Sequence, residues 1–110
     1  RRDPEIGPVV VLGMGGVAAE LNKSISVRVA PVTSGTAREM IAEVRELRLL
    51  EGFRNLPRGD GAALAAAVRA MSLLAELDSP EVAEAEINPL IVRDEGRGVI
   101  AVDGLVVFNT

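Results

Sequence analysis

The sequence predicts an α+β fold in two layers: a small, mostly antiparallel sheet with two helices on one face. Three observations lead there. Apolar residues recur with period two near both ends of the chain and with a helical period in the middle. The order of elements is therefore strand, strand, helix, helix, strand, strand. Strands that are neighbours in sequence are joined by short connections, which favours antiparallel pairing. At 110 residues a single domain, 1–110, is expected.

The first strand is the apolar run Val9 to Leu12 of "GPVVVLGMGG". "SISVRVAPV" alternates, with Ile25, Val27 and Val29 on one side and Ser24, Ser26 and Arg28 on the other, as in a half-buried strand. The period changes in "TSGTAREMIAEVRELRLLEG". Ala37, Met40, Ile41, Val44 and Leu47 line one helical face, Thr33 or Ser34 is placed to cap its start, and Gly52 follows its end. "FRNLPRGDG" reads as a loop. The second helix is "AALAAAVRAMSLLAEL", with Asp60 as its cap and Leu64, Val68, Met71 and Leu74 in line. After "SP" comes the strand "AEAEINPLIV", then the turn "RDEGRG" and the last strand "VIAVDGLVVF".

Composition excludes several chemistries. The net charge of −4 comes without a basic stripe, so no nucleic acid partner is expected. There is no cysteine and no histidine, so this chain supplies no disulfide, thiolate or imidazole. No apolar run reaches the roughly 18–20 residues of a membrane span, so no membrane association is expected. The opening "RRDPEIG" has neither an initiator methionine nor a signal-peptide pattern, which reads as a segment of something longer.

Gly13-Met14-Gly15-Gly16-Val17-Ala18 fits the G-x-G-x-x-A pattern of dinucleotide-binding loops. The context argues against it. A βαβ unit needs about 30 residues, and the next strand begins near Ser24. A tight glycine turn, or a loop that lets a phosphoryl group or another segment approach closely, remains.

"AEAEINPLIV" places two carboxylates, an amide and a proline in an apolar strand. With Asp94–Arg97 as the turn, Val92 pairs with Val99, Leu90 with Ala101 and Asn88 with Asp103. Residues directly opposite share a face, and Glu86 lies two residues along on it. An amide oxygen and carboxylates would then converge at one end of a hairpin, a donor set that suits Mg²⁺. The alternative is structural: Asn88-Pro89 and Asp103-Gly104 are turn dipeptides, and Glu84 and Glu86 fit the solvent face of an edge strand.

At these residues a resemblance becomes specific. "GPVVVLGMGGVAAEL", "REMIAEVRELRLLEGF", "AEAEINPLIV" and "GVIAVDG", in this order and spacing, resemble the C-terminal lobe of the ATP-grasp domain of NDP-forming acyl-CoA synthetases, and more distantly the β subunit of succinyl-CoA synthetase. The resemblance covers essentially the whole chain and is strongest in "EINPL" followed by "VDG".

The resemblance implies a reversible ligase reaction. Acyl-CoA, ADP and phosphate interconvert with acid, CoA and ATP through a phosphohistidine on another domain. It implies Asn88 and Asp103 as Mg²⁺ ligands, Glu86 as the acidic residue facing the incoming histidine, and Gly15, Gly16 and Glu20 at the ATP/ADP site. Its implied partners are an N-terminal ATP-grasp lobe and a CoA-binding, histidine-bearing domain, in the cytoplasm. With those partners removed, uncovered aliphatic surface is expected to make this segment self-associate as a dimer. Two positions depart from the family pattern. Leu105 stands where a basic residue is usual, and Asn55 where a glycine follows the arginine of the loop. Leu105 motivates an alternative, a degenerate lobe kept as a non-catalytic interaction or ligand-sensing module.

Overall fold

A computed structural model of the chain describes residues 1–14, 24–52 and 54–109. The N-terminal strands form an antiparallel ladder in the order β1-β2-β3, with β1 at Arg2–Asp3, β2 at Gly7–Gly13 and β3 at Ile25–Val29. Helix α1, Ser34–Glu43, begins where the Thr33 hydroxyl accepts the Thr36 N–H at 3.1 Å, so Thr33 rather than Ser34 is the cap.

The periodic run that predicts one helix up to Gly52 is split in two. α1 stops at Glu43, Val44 takes extended backbone, and a 3-10 helix covers Arg45–Glu51. The reason lies at Ser24, just before β3. A continuing α-helix would direct the Arg45 N–H to the Ile41 carbonyl; instead it goes to the Ser24 hydroxyl at 2.9 Å. The Ser24 N–H and hydroxyl in turn donate to the Glu46 carboxylate at 2.9 and 2.7 Å. The apolar face survives the break, because Ala37, Met40 and Val44 are all fully buried.

Helix α2, Gly61–Leu73, is capped by Asp60 as expected and ends in a 3-10 turn at Leu74–Glu76. Its Leu64, Ala65 and Val68 meet Val32, Ala37 and Met40 to form the core. Val10 and Leu12 of β2 pack onto that core from one side. The buried Ser72 hydroxyl ties the loop before α1 to α2: it accepts the Val32 N–H at 2.9 Å and donates to the Arg69 carbonyl at 2.7 Å.

The alternation of β3 holds, but its polar side is the covered one. Ser26 is 2 % exposed, while Ile25, Val27 and Val29 are 44–63 % exposed. The Ser26 hydroxyl donates to Glu43 at 2.6 Å, and Glu43 also pairs with Arg28. Small hydroxyl side chains let α1 lie close and bond across the gap. The aliphatic side chains are left on the face away from the helices.

The C-terminal half is a long bent hairpin. Each expected strand is broken once, into β4 (Glu81–Ile87) and β5 (Leu90–Val92), and into β6 (Val99–Ala101) and β7 (Gly104–Asn109). β5 pairs with β6 and β4 with β7, both antiparallel. Leu90, Val92 and Val99 pack onto the core, whereas every described residue of β7 is exposed. Among the described residues no helix is long and apolar enough to cross a membrane.

Candidate functional site

The hairpin keeps one register from its tip to Glu84. Val92 is opposite Val99, Leu90 opposite Ala101, Ile87 opposite Gly104 and Glu86 opposite Leu105. Asn88 falls opposite Asp103, and its N–H donates to the Asp103 carbonyl at 3.0 Å. The register shifts only between Val82 and Glu84, away from these residues.

The bend has a specific form. Antiparallel ladders alternate hydrogen-bonded and non-hydrogen-bonded pairs. Here two successive pairs are bonded across the ladder: Asn88 to Asp103, and Val102 N–H to the Pro89 carbonyl at 3.1 Å. The alternation therefore slips by one residue at Asn88-Pro89. Leu90 and Val92 face the core, while Glu84, Glu86 and Asn88 are exposed. This explains how an apolar strand accommodates two carboxylates, an amide and a proline. The polar side chains sit on the open face, and Pro89 enters the ladder only through its carbonyl.

On that open face the Asn88 amide nitrogen donates to Glu86 Oε1 at 3.4 Å, and the amide oxygen keeps its capacity to accept or ligate. Asp103 is exposed on the other arm of the hairpin, between β6 and β7. The candidate donor set is one amide oxygen and one carboxylate at facing breaks in the two arms of the hairpin, with the Glu86 carboxylate hydrogen-bonded to the amide. Among the described residues no cluster of three or more acidic, imidazole or thiol groups occurs. That set fits Mg²⁺, which takes one or two protein ligands and completes its shell with phosphate and water. Gly15, Gly16 and Glu20 lie outside the described residues.

The tip of the hairpin, several rungs from Asn88 and Asp103, is anchored by Asp60, a role its sequence position does not disclose. Its Oδ1 accepts the Ala63 N–H at 3.0 Å, capping α2. Its Oδ2 accepts Gly98 N–H at 2.7 Å and Gly96 N–H at 3.1 Å from the turn between β5 and β6. The Asp60 N–H donates to Arg93 and the Glu95 N–H to Arg58, each at 2.8 Å. The Ala63 N–H, then those of Gly98 and Gly96, hold the Asp60 carboxyl below the usual carboxylate range against the opposing effect of burial. The N-cap signal is legible in the sequence; nothing there links Asp60 to a turn 36 residues later.

Helices lie on one face of antiparallel strands, and exposed oxygen donors gather at the bend of the hairpin. The chain belongs to the ATP-grasp domain family, whose sequence profile matches residues 1–108. It is 42% identical over 100 residues to the ADP-forming acetate–CoA ligase I of Archaeoglobus fulgidus, covering 91% of this chain and 14% of that protein. It is 39% identical over 107 residues to the β subunit of the ADP-forming acetate–CoA ligase I of Pyrococcus furiosus, covering 97% of this chain and 45% of that one. The fold superposes with a TM-score of 0.87, at 36% identity, on acetyl-coenzyme A synthetase 1 of Ca. Korarchaeum cryptofilum in complex with coenzyme A and Mg-AMPPCP, its phosphohistidine segment pointing towards the nucleotide-binding site. That match covers 98% of this chain and 49% of the other. The chain thus spans less than half the length of each of these relatives.

Proposed function

We propose that this chain is the C-terminal ATP-grasp lobe, 1–110, of an NDP-forming acyl-CoA synthetase working in the cytoplasm. The observation that carries the reading is the placement of Asn88 opposite Asp103 with Glu86 on the same open face. In this reading Asn88 and Asp103 hold Mg²⁺ against the phosphates of ATP or ADP, and Gly15, Gly16 and Glu20 belong to the nucleotide side of the site. When bound, the cation neutralises charge on the phosphoryl oxygens during transfer. Glu86 accepts a hydrogen bond from the imidazole of a histidine delivered by another domain. That bond orients the ring and favours its charged form. An N-terminal lobe closes over the nucleotide, and a separate domain binds CoA. The relatives named above, acetate–CoA ligases and an acetyl-coenzyme A synthetase with nucleotide and CoA bound, support this division of labour.

The test is CoA-dependent ADP formation from ATP and acetate by the enzyme carrying this lobe, compared with its Asp103→Ala and Glu86→Gln forms. Activity lost in both, with the fold intact, supports the reading. Full activity in either removes that residue from the site. The 110-residue chain alone should show no turnover and no more than weak binding in a titration with ADP and Mg²⁺. Affinity near a Kd of about 1 μM would contradict the need for a second lobe.

A further inference from the structure

Two Asp-Gly pairs occur in the chain, Asp60-Gly61 and Asp103-Gly104, and the fold treats them differently. Asp60 is buried, and its carboxylate accepts N–H groups from Ala63, Gly96 and Gly98. The Gly61 N–H is engaged as well, with the Gly59 carbonyl at 3.0 Å, at the start of α2. The Asp60 carboxyl and the Gly61 nitrogen cannot meet without dismantling both the helix cap and the tip of the hairpin.

Asp103-Gly104 has none of these restraints. Both residues are exposed, and Asp103 stands in the gap between β6 and β7. Among the described residues its carboxylate has no hydrogen-bond or ion-pair partner. Asn88 and Asp103 are a bonded pair, so by the alternation of the ladder the next pair, Ile87 and Gly104, is a non-bonded one. The Gly104 N–H therefore points away from β4, to the side where no described strand lies beside β7. With no Cβ on Gly104, nothing on that residue crowds its nitrogen.

We propose that Asp103 is a site of spontaneous isomerisation to isoaspartate. The Gly104 nitrogen attacks Asp103 Cγ. The N–Cγ bond forms, and one carboxyl oxygen leaves as water with the carboxyl and amide protons, closing a five-membered succinimide. Water then opens the ring. Breaking the new N–Cγ bond restores aspartate, whereas breaking the original peptide C–N bond leaves the main chain running through Cγ. One water is lost and one is gained, and nothing is oxidised or reduced. In the isoaspartate the main chain is longer by one carbon, and the former Asp103 carbonyl, which accepted the Asn88 N–H, becomes part of the free carboxylate. The rung and the candidate ligand change together. The modification rests on the exposed pair alone; its effect on Mg²⁺ rests on the function proposed above.

The experiment stores the enzyme carrying this lobe at neutral pH and follows two tryptic peptides, Gly59–Arg69 and the one that begins at Gly98, each holding one Asp-Gly pair. Isoaspartate is read as an isomer of unchanged mass and as a methyl acceptor for protein-isoaspartate methyltransferase added in vitro. It should accumulate severalfold faster at Asp103 than at Asp60. In denaturant, where neither pair is restrained, the two rates should converge. Gly104→Ala should slow the reaction at Asp103 severalfold, because a Cβ crowds the attacking nitrogen. The fold accepts that change: Gly104 is not in a left-handed conformation, and the added Cβ meets only the Glu86 carbonyl at 3.5 Å. Equal rates in the folded enzyme, a difference that persists in denaturant, or an unchanged rate in Gly104→Ala overturns the proposal. If isoaspartate forms while activity holds, the modification stands and Asp103 leaves the metal site. If kcat/KM falls in step with isoaspartate, both stand.

Discussion

The Asn88 N–H donates to the Asp103 carbonyl at 3.0 Å, and the next rung, Val102 to Pro89, is bonded as well. This doubled rung bends the hairpin and turns Asn88 and Glu86 away from the core that Leu90 and Val92 enter.

Because the two candidate ligands are exposed and outside the core, removing them should separate function from stability. Asn88→Ala and Asp103→Ala in the enzyme carrying this lobe are expected to lower kcat/KM by about tenfold or more, by analogy with the loss seen when groups around a metal site are removed. The thermal midpoint should stay within a few degrees, about the effect of a surface substitution. The check is a Mg²⁺ titration of activity alongside thermal unfolding. An unchanged Mg²⁺ dependence would remove these residues from the site.

Met40 is fully buried between the two helices, in contact with the cluster that includes Ala37, Leu64 and Val68. Met40→Ala is expected to cost about 2–5 kcal/mol, the range for a large-to-small change at a packed site. Denaturant unfolding measures it. A loss well below that range would mean that the core closes over the space.

Three carboxylates that join distant elements are held below their ordinary range. Arg28 and then the Ser26 hydroxyl act on Glu43, the Ser24 hydroxyl and then its N–H act on Glu46, and the Ala63 N–H leads at Asp60. A depressed folded-state pKa gives stability that is present above the unfolded value and lost as pH falls through the folded one. The thermal midpoint should therefore be flat from about pH 7 to 5 and decline below about pH 4, where unfolded carboxylates take up protons. Asp60→Asn should lower the midpoint at neutral pH and make the acid decline shallower. A decline that begins above pH 5 would contradict this assignment.

Val11, Ile25, Val27 and Val29 form an aliphatic face, each 44–63 % exposed. An exposed contiguous apolar patch tends to find a partner. The 110-residue chain is expected to self-associate reversibly as a dimer, and Val27→Lys is expected to shift it towards monomer. Sedimentation velocity over a range of concentrations decides it, and a strict monomer at high concentration would count against this face.

The sequence by itself determined what depends on neighbours along the chain. The helix caps at Thr33 and Asp60 are satisfied by N–H groups three residues ahead, and the glycine stop at Gly52 is equally local. The hairpin register followed from the even count of residues around the turn, so Asn88 could be set opposite Asp103 before any coordinates. Only tertiary structure decided the rest. α1 ends early because Ser24, more than 20 residues away, takes the Arg45 N–H. The polar side of β3 is the buried one because Ser26, and Ser24 just before the strand, find carboxylates on α1 and on the 3-10 helix that follows it. The slip at Asn88-Pro89 and the second bond of Asp60 to the hairpin turn leave no local pattern either. Periodicity records which residues share a side. Which side is covered depends on the segment that arrives from elsewhere with matching hydrogen-bond partners, because a polar group is buried only where those partners await it.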